Sequence, residues 1–338
     1  MIKSLEIRNA AFRLADQKFV EGKPTYGLYS PIYIASTSNV TDTMKLYKDY
    51  ESVLTVGGTG AHAYEALLNG AKHVDLFDIN ELQRLYFEYM KTAITYLDYP
   101  TFIKHFTLPK QTTVMKRENL KDLLSNDLYQ KLYFFLPDEV EEVFSPLFDF
   151  HYSVDLVISN LFRFEHIITL DHLKKNVSFY NEEEYYKLQT ILRDENYPMD
   201  FKTVPLTDVP KAFKEKYDLI ILDNILQYYK DIRGLETPYA VNMFISKQLS
   251  SLLKEDGTIQ VNYGFEVATD AVKERFKIPY TKSCVPMIDF ILKTEQKTGI
   301  NIPLIEKWSD RYSYEFIPGV ERTETPGKEN LILNYKRK

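Results

Sequence analysis

The fold of this chain is constrained most by a glycine-rich turn that separates a short apolar strand from a helix. Residues 53–56 are mainly apolar and partly β-branched, which is typical of a strand buried inside a parallel sheet. Gly57, Gly58 and Gly60 follow at once, and because glycine has no Cβ, the backbone can turn sharply there and approach a ligand closely. Residues 61–68 then favour a helix. The pattern predicts a strand, a tight turn and a helix packed together.

An acidic residue follows the next predicted strand at an informative distance. Residues 74–77 form this second strand, and Asp78 comes directly after it, 21 residues beyond Gly57. Nucleotide-binding βαβ units place a ribose-binding acid about 20 residues after the glycine turn. One carboxylate can accept hydrogen bonds from both ribose hydroxyls. The unit therefore predicts a site for a nucleoside-containing cofactor, although a glycine turn used only for packing is the alternative. The candidate binding residues here are Gly57, Gly58, Thr59, Gly60, Asp78, Ile79 and Asn80.

The composition excludes several classes of protein. The chain has 338 residues and a formal net charge of −6, which argues against a general nucleic-acid binder because such proteins need a basic face. Cys284 is the only cysteine, so no intrachain disulfide can form. The sequence has neither a secretory signal nor an apolar stretch long enough to span a bilayer. A cytoplasmic protein without an integral membrane segment is expected, and the oligomeric state is left open.

The chain divides into three parts. Residues 1–50 form a mainly helical leader that either lies across the mouth of the cofactor site, bringing Tyr26, Tyr29 and Ser30 near the ligand, or packs on the sheet edge. Residues 51–97 and 181–338 carry the α/β pattern, and residues 98–180 form a mainly helical insertion. Within the insertion, residues 152–162 fit a strand or the start of a helix equally well.

The second half of the chain supplies the remaining strands. One is expected to end near Leu206 and the next to cover residues 219–222, followed by a helix from residue 238 to residue 254. A strand ending at Gly264 comes next. The chain closes with two apolar or alternating segments joined by a loop, so a C-terminal antiparallel hairpin is predicted.

Two cofactors fit the glycine turn. Gly58, Gly60 and Ala63 satisfy the dinucleotide fingerprint G-x-G-x-x-[GA], which would make the chain an NAD-dependent oxidoreductase. However, the turn lies behind a 50-residue leader, and no second mononucleotide-binding half is recognisable downstream. The other candidate is S-adenosylmethionine.

The βαβ unit, residues 203–231 and the closing strands resemble the class I S-adenosylmethionine-dependent methyltransferases. The resemblance implies a Rossmann-like fold with a mostly parallel seven-stranded sheet and one antiparallel hairpin strand near the C-terminus. It also implies that the glycine turn approaches the methionine part of the cofactor and that Asp78 binds the ribose. Residues after the third and fourth strands would flank the adenine and the reaction centre, and these are Thr207, Asp208, Asp223 and Asn224. One departure is Thr55, because the family often has an acid there.

A narrower resemblance fits this departure. "LTVGGTGAHAYEAL" and "VDLFDINELQ" are similar to the 3-amino-3-carboxypropyl transferases of betaine-lipid synthesis, which have a Gly-Gly pair and an Asp-x-Asn-x-x-Gln motif, here Asp78, Asn80 and Gln83. Those enzymes also carry a long helical insertion. The Gly-Gly pair and Asp223 are similar to features of the polyamine aminopropyl transferases, a related chemistry on the same fold.

These resemblances imply a transferase that acts on a small-molecule or lipid-headgroup acceptor. Asp223 is the candidate for orienting or deprotonating the acceptor, or for holding cofactor, and Tyr228 is a second candidate catalytic residue. His62 follows the glycine turn, where it could contact the cofactor, but a position on the helix surface is expected. The histidines lack the spacing of metal ligands, so no metal site is predicted. A catalytically inactive nucleoside-binding module on the same fold is the remaining alternative.

Overall fold

The computed structural model describes eleven parts of the chain: residues 2–18, 27–36, 38–47, 49–108, 121–163, 169–194, 197, 199–226, 231–263, 312–317 and 331–337. Strands and helices alternate through most of these ranges, as the sequence predicts. The strands are β1 (Ile32–Tyr33), β2 (Ser52–Val56), β3 (His73–Asp78), β4 (Phe162–Arg163), β5 (Met199–Thr203), β6 (Tyr217–Ile221), β7 (Leu253–Tyr263), β8 (Tyr312–Ile317) and β9 (Leu331–Arg337).

The central sheet has the strand order β5-β3-β2-β6-β7-β9-β8. Strands β5, β3, β2, β6 and β7 pair in parallel, whereas β9 is antiparallel to both of its neighbours, β7 and β8. The predicted α/β fold with a mostly parallel sheet is therefore confirmed. From β2 the chain builds the sheet in one direction through β3 and β5, and then returns to the other side of β2 with β6. This reversal is a topological switch point, where ligands bind in open α/β sheets.

The helices pack on the faces and one end of this sheet. Their bounds are α1 (Ile2–Ala15), α2 (Val40–Met44), α3 (Ala61–Leu68), α4 (Glu81–Tyr96), α5 (Tyr99–Phe106), α6 (Asn126–Tyr129), α7 (Asp138–Phe150), α8 (Ser153–Ile158), α9 (Leu170–Asn176), α10 (Glu182–Leu192), α11 (Val209–Ala212) and α12 (Pro238–Lys247). Short 3-10 helices cover Tyr133–Phe135, Ser178–Tyr180, Leu206–Asp208 and Leu249–Leu252. Among the described residues, no helix has both the length and the apolar composition required to cross a membrane.

The core forms two clusters, one on each face of the sheet. Because side chains alternate along a strand, Val53 and Leu219 join one cluster whereas Leu54 and Ile220 join the other. All four side chains are buried. This burial on both faces explains why the strands read as nearly continuous apolar runs.

The leader and the insertion are joined on one side of the sheet. β1 from the leader pairs in parallel with β4 from the insertion. Charged groups add to this connection: Glu81 at the start of α4 accepts from Lys3 of α1 at 2.9 Å, and Arg84 contacts Glu139 of α7 at 2.5 Å. The leader is thus fixed against the helices that follow β3.

The structure refines three expectations about secondary structure. Residues 153–158 form a helix, which decides between the two interpretations of that segment. The strand expected to end near Leu206 ends at Thr203, because this residue is paired with Asp78, the last residue of the adjacent strand, β3. The helix expected to run from residue 238 to residue 254 ends at Lys247. Tyr26, Tyr228, Cys284 and the segment between residues 263 and 312 lie outside the described residues.

Candidate functional site

A cavity lies at the carboxyl ends of β2, β3 and β6, at the switch point of the sheet. It encloses about 1000 Å³ of empty space, part of it open to solvent. Each of the three strands leads into a turn that faces this space, and the leader closes one side. The lining residues are Gly57, Gly58 and Thr59 after β2, Asp78, Ile79 and Asn80 after β3, Asp223, Asn224 and Ile225 after β6, and Ser30, Tyr33, Ala35, Ser36, Ser38, Val56, His62 and Gln83 around them.

Gly58 presents its backbone to the cavity. Its φ is +41°, in the left-handed region that favours glycine, and a Cβ built at this position would meet no atom within 4 Å. Its N–H donates to Asp78 Oδ2 at 3.0 Å. At Gly57, by contrast, a Cβ would collide with the ring of Phe201. The turn is therefore packed against the protein at Gly57 and open toward the cavity at Gly58.

Asp78 connects the two turns on either side of the cavity. Its Oδ1 accepts from the backbone N–H of Asn80 at 3.0 Å, while its Oδ2 accepts from Gly58. Burial raises the pKa of the carboxyl, and the backbone N–H groups of Asn80, Gly58 and Ile79 partly oppose that rise. A carboxylate has about four acceptor sites, so its remaining lone pairs can accept from a ligand in the cavity.

Asp223 follows β6 with an unusual backbone conformation. Its φ is +45°, which few residues other than glycine adopt, although aspartate tolerates it better than most. Such conformations cost on the order of 1–3 kcal/mol and occur often at functional sites. Asp223 and the adjacent Asn224 both line the cavity. The predicted residues after β6 therefore lie beside the glycine turn, because β6 pairs with β2.

Two amide side chains of the β3–α4 region hold the leader beside the cavity. Asn80 Oδ1 accepts from Ser30 N at 3.3 Å, and its Nδ2 donates to Ser30 O at 2.8 Å. Gln83 Oε1 accepts from Tyr33 N at 2.8 Å, and Gln83 Nε2 donates to Tyr33 O at 2.9 Å. Gln83 thus pairs with both backbone polar groups of one residue, as a neighbouring strand would. The Asp-x-Asn-x-x-Gln motif therefore fixes the segment that covers the site.

His62 is a cavity residue beside the glycine turn. It lies in the first turn of α3, directly after the glycine turn, and it is 6% exposed. The expectation of a helix-surface position is therefore wrong, because this turn of α3 faces the interior of the site. Nε2 is buried and has no hydrogen-bond partner. Burial lowers the pKa of His62, and Asp223 partly opposes this, so the imidazole is neutral near pH 7.

Four of the predicted binding residues do not line the cavity. Gly60 is the N-cap of α3, with φ +77°, and packs against Phe87. Thr207 and Asp208 belong to a 3-10 helix beyond β5, where Asp208 pairs with Lys211 at 3.0 Å. Tyr29 faces a shallow surface depression beside α1, while its neighbour Ser30 lines the cavity.

Thr55 offers no charged group to the site. Its side chain is fully buried in β2, and its hydroxyl donates to the carbonyl of Val56 at 3.2 Å. The carboxyl groups in the cavity lining come from Asp78 and Asp223. Among the described residues, no cluster of three histidine, cysteine or acidic side chains is arranged to hold a metal ion.

No protein-family model matches the chain, and no curated protein is similar to it in sequence. Solved structures of methyltransferases are similar to it in fold. The N-methyltransferase NodS from Bradyrhizobium japonicum, in complex with S-adenosyl-L-homocysteine, is 9% identical over 98% of both chains, with a TM-score of 0.35. A putative O-methyltransferase from Nostoc punctiforme is 9% identical over 88% of this chain and 55% of that chain, with a TM-score of 0.35.

A third structure, magnesium protoporphyrin IX methyltransferase from Synechocystis with bound S-adenosyl-L-homocysteine, is 11% identical. The match covers 85% of this chain and 74% of that chain, with a TM-score of 0.31. These similarities are distant, so the fold is defined by the strand order and pairing of the chain itself.

Proposed function

We propose that the chain is an S-adenosylmethionine-dependent transferase. The observation that carries this proposal is the meeting of the Gly58 backbone and the Asp78 carboxylate in one cavity at the switch point of the sheet. A glycine turn that leaves room for a ligand and an acid that can bind a ribose are the two features a nucleoside cofactor needs there.

The residues present fit this cofactor. The space beside Gly58 is open where a side chain would otherwise lie. Asp78 keeps acceptor capacity after its two backbone hydrogen bonds and would hold the ribose. Thr59, Ile79 and Asn224 would complete the walls around the nucleoside. Thr207, Asp208 and Tyr29 lie outside this wall, so they are weaker candidates for cofactor contacts.

When bound, S-adenosylmethionine supplies a carbon already activated by its sulfonium. The chain then has only to hold an acceptor in line with that carbon and to exclude competing water. Asp223 faces the cavity from the end of β6, where it would orient or deprotonate the acceptor or bind the cofactor's ammonium group. The leader segment fixed by Asn80 and Gln83 would cover the reacting groups.

The transferred group is methyl or 3-amino-3-carboxypropyl, and the acceptor is a small molecule or a lipid headgroup. The Gly-Gly pair and the Asp-x-Asn-x-x-Gln motif are the reason for keeping 3-amino-3-carboxypropyl transfer as a candidate beside methyl transfer. Mass spectrometry of the spent cofactor distinguishes them, because methyl transfer leaves S-adenosylhomocysteine and the other reaction leaves methylthioadenosine.

Isothermal titration of the full chain with S-adenosylhomocysteine and NAD tests the cofactor. We expect S-adenosylhomocysteine to bind and NAD not to bind. Asp78→Asn should weaken S-adenosylhomocysteine roughly 10-fold or more, since a hydrogen bond to a charged group contributes about 1.5–3 kcal/mol. Asp127→Asn, a change in an exposed acid of α6 outside the cavity lining, is the control. Binding of NAD alone, or equal affinities for Asp78→Asn and the wild type, would contradict the proposal.

The same titration separates the two roles of Asp223. If this residue acts on the acceptor, Asp223→Asn leaves the affinity for S-adenosylhomocysteine unchanged while turnover falls. If it binds the ammonium group, the affinity falls as well.

A further inference from the structure

The cavity contains a buried polar atom that the proposed ribose and acceptor contacts do not use. His62 Nε2 is buried without a hydrogen-bond partner, in a side chain that lines the cavity. An unpaired buried polar group costs about 1–3 kcal/mol. Such a group in a binding cavity is accounted for if a ligand supplies its partner.

The surroundings of His62 favour an anionic partner. His62 lies in the first turn of α3, a helix of eight residues. The N-cap, Gly60, has no side chain that could accept hydrogen bonds from this turn, and the contact of Ala61 N with Thr59 Oγ1 is long, at 3.4 Å. The positive end of the helix dipole is therefore directed at the same space as the imidazole, and such helix ends attract carboxylates.

The neighbouring strand supplies the complementary charge. Asp223 lines the same cavity from the end of β6, which pairs directly with β2. Asp78, the other acid of the lining, is hydrogen-bonded to the turns after β2 and β3. The cavity therefore offers an imidazole and a helix N-terminus after β2, and a carboxylate after the adjacent strand β6. This arrangement suits a zwitterionic amino-acid group.

We propose that His62, with the N-terminus of α3, binds the carboxylate of the amino-acid end of the cofactor and makes the site specific for the carboxylated form. This inference rests on the proposed function. It also accounts for Thr55, because the amino-acid end is then held from α3 and β6 without an acid in β2. The neutral imidazole donates from Nε2–H, which fixes the tautomer with its proton on that nitrogen.

Two probes that differ only in this carboxylate test the proposal: S-adenosylhomocysteine and its decarboxylated analogue. The full-length wild type should bind S-adenosylhomocysteine roughly 10-fold or more tightly than the analogue, as expected for a hydrogen bond to a charged group. His62→Phe keeps a ring of similar size but removes the donor. We expect its affinity for S-adenosylhomocysteine to fall by that factor while its affinity for the analogue stays unchanged.

Two further variants complete the experiment. His62→Gln retains an N–H donor and should recover part of the preference for the carboxylate. His151→Phe is the matched control, since His151 lies at the C-terminal end of α7 against Phe12 and outside the cavity lining. It should bind both probes as the wild type does.

The outcomes separate the inference from the proposed function. The role of His62 is overturned if the wild type binds both probes with equal affinity. It is also overturned if His62→Phe lowers the affinity for both probes by the same factor. Wild type that binds neither probe overturns the proposed function and the inference together. Retained binding of the analogue by His62→Phe shows in the same titration that the variant is folded.

Discussion

Three glycines with left-handed backbones allow the roles of the turn to be separated. Gly58, Gly60 and Gly70 have φ values of +41°, +77° and +93°. A Cβ at Gly58 would project into the open cavity, whereas one at Gly60 would lie 2.6 Å from Phe87 Cδ2. A Cβ at Gly70 would meet nothing within 4 Å, and Gly70 is not part of the cavity. Replacement by alanine therefore costs backbone energy at all three positions. At Gly60 it also disturbs the packing, and at Gly58 it also alters the cavity.

The magnitudes follow from these contacts. A left-handed alanine costs about 1–2 kcal/mol, which should be the whole loss of stability in Gly70→Ala and Gly58→Ala. Gly60→Ala adds an overpacking cost of about 1–3 kcal/mol, because the Phe87 ring is fully buried and stacked on Tyr64. Its total loss is therefore about 2–5 kcal/mol. The order of the variants differs for ligand affinity. Gly58→Ala should weaken the binding of S-adenosylhomocysteine roughly 10-fold or more, and 10-fold is equivalent to about 1.4 kcal/mol.

Urea unfolding followed by circular dichroism and isothermal titration with S-adenosylhomocysteine measure both quantities on the same samples. Gly70→Ala is the control, because it carries the backbone cost without touching the cavity. The reasoning about Gly58 is refuted if Gly58→Ala binds the ligand as tightly as Gly70→Ala does. The reasoning about Gly60 is refuted if Gly60→Ala is no less stable than Gly70→Ala.

Two further predictions concern the leader. Gln83→Ala removes the two hydrogen bonds that Gln83 makes to the Tyr33 backbone, so the Tyr33 amide should exchange its hydrogen roughly 10-fold or more faster. Gln130→Ala is the exposed control, and unchanged exchange would contradict the role of Gln83 in holding the leader. Burial raises the pKa of Glu81, but hydrogen bonds from its partners, Arg84 foremost, outweigh it and lower the pKa to about 2. Above its usual pKa of 4.5, Glu81 therefore contributes about 3 kcal/mol to the free energy of unfolding. This contribution is lost as the pH falls toward 2. Urea midpoints measured from pH 6 to pH 3 should fall more steeply for the wild type than for Glu81→Gln, and parallel curves would exclude this contribution.

The parts of the fold that the sequence predicts are those governed by local patterns. Buried parallel strands need long apolar runs, so β2, β3 and β6 were recognisable. Asn80, a residue type that favours N-caps, caps α4 by accepting from Leu82 N at 3.1 Å. Errors occur where tertiary contacts decide. Residues 153–158 have an apolar composition that suits a strand or a helix, and only their surroundings select the helix. β5 ends at Thr203, three residues before the predicted position, because its partner β3 ends at Asp78.

The candidate site is predictable to the extent that its residues follow strands. Asp78 and Asp223 come directly after strands, and the parallel pairing of β2 with β3 and β6 brings both to the same edge of the sheet. Ser36 and Ser38 could not be found in this way, because their position depends on how the leader crosses the cavity. The position of His62, two residues after Gly60, did indicate the site, because the first helical turn after a glycine turn faces the ligand in a βαβ unit.

The strand order explains why one edge of the sheet combines these groups. β2 is paired with β3 on one side and β6 on the other, so the turns after all three strands open onto a single space. The turn after β2 leaves that space free of side chains at Gly58, and the neighbouring turns then set its charge through Asp78 and Asp223. The neutral His62 and the N-terminus of α3 lie beside these acids in the same lining. A ligand with a polar sugar at one end and a zwitterion at the other matches that distribution, which is why the ribose and amino-acid contacts can be tested independently by Asp78→Asn and His62→Phe.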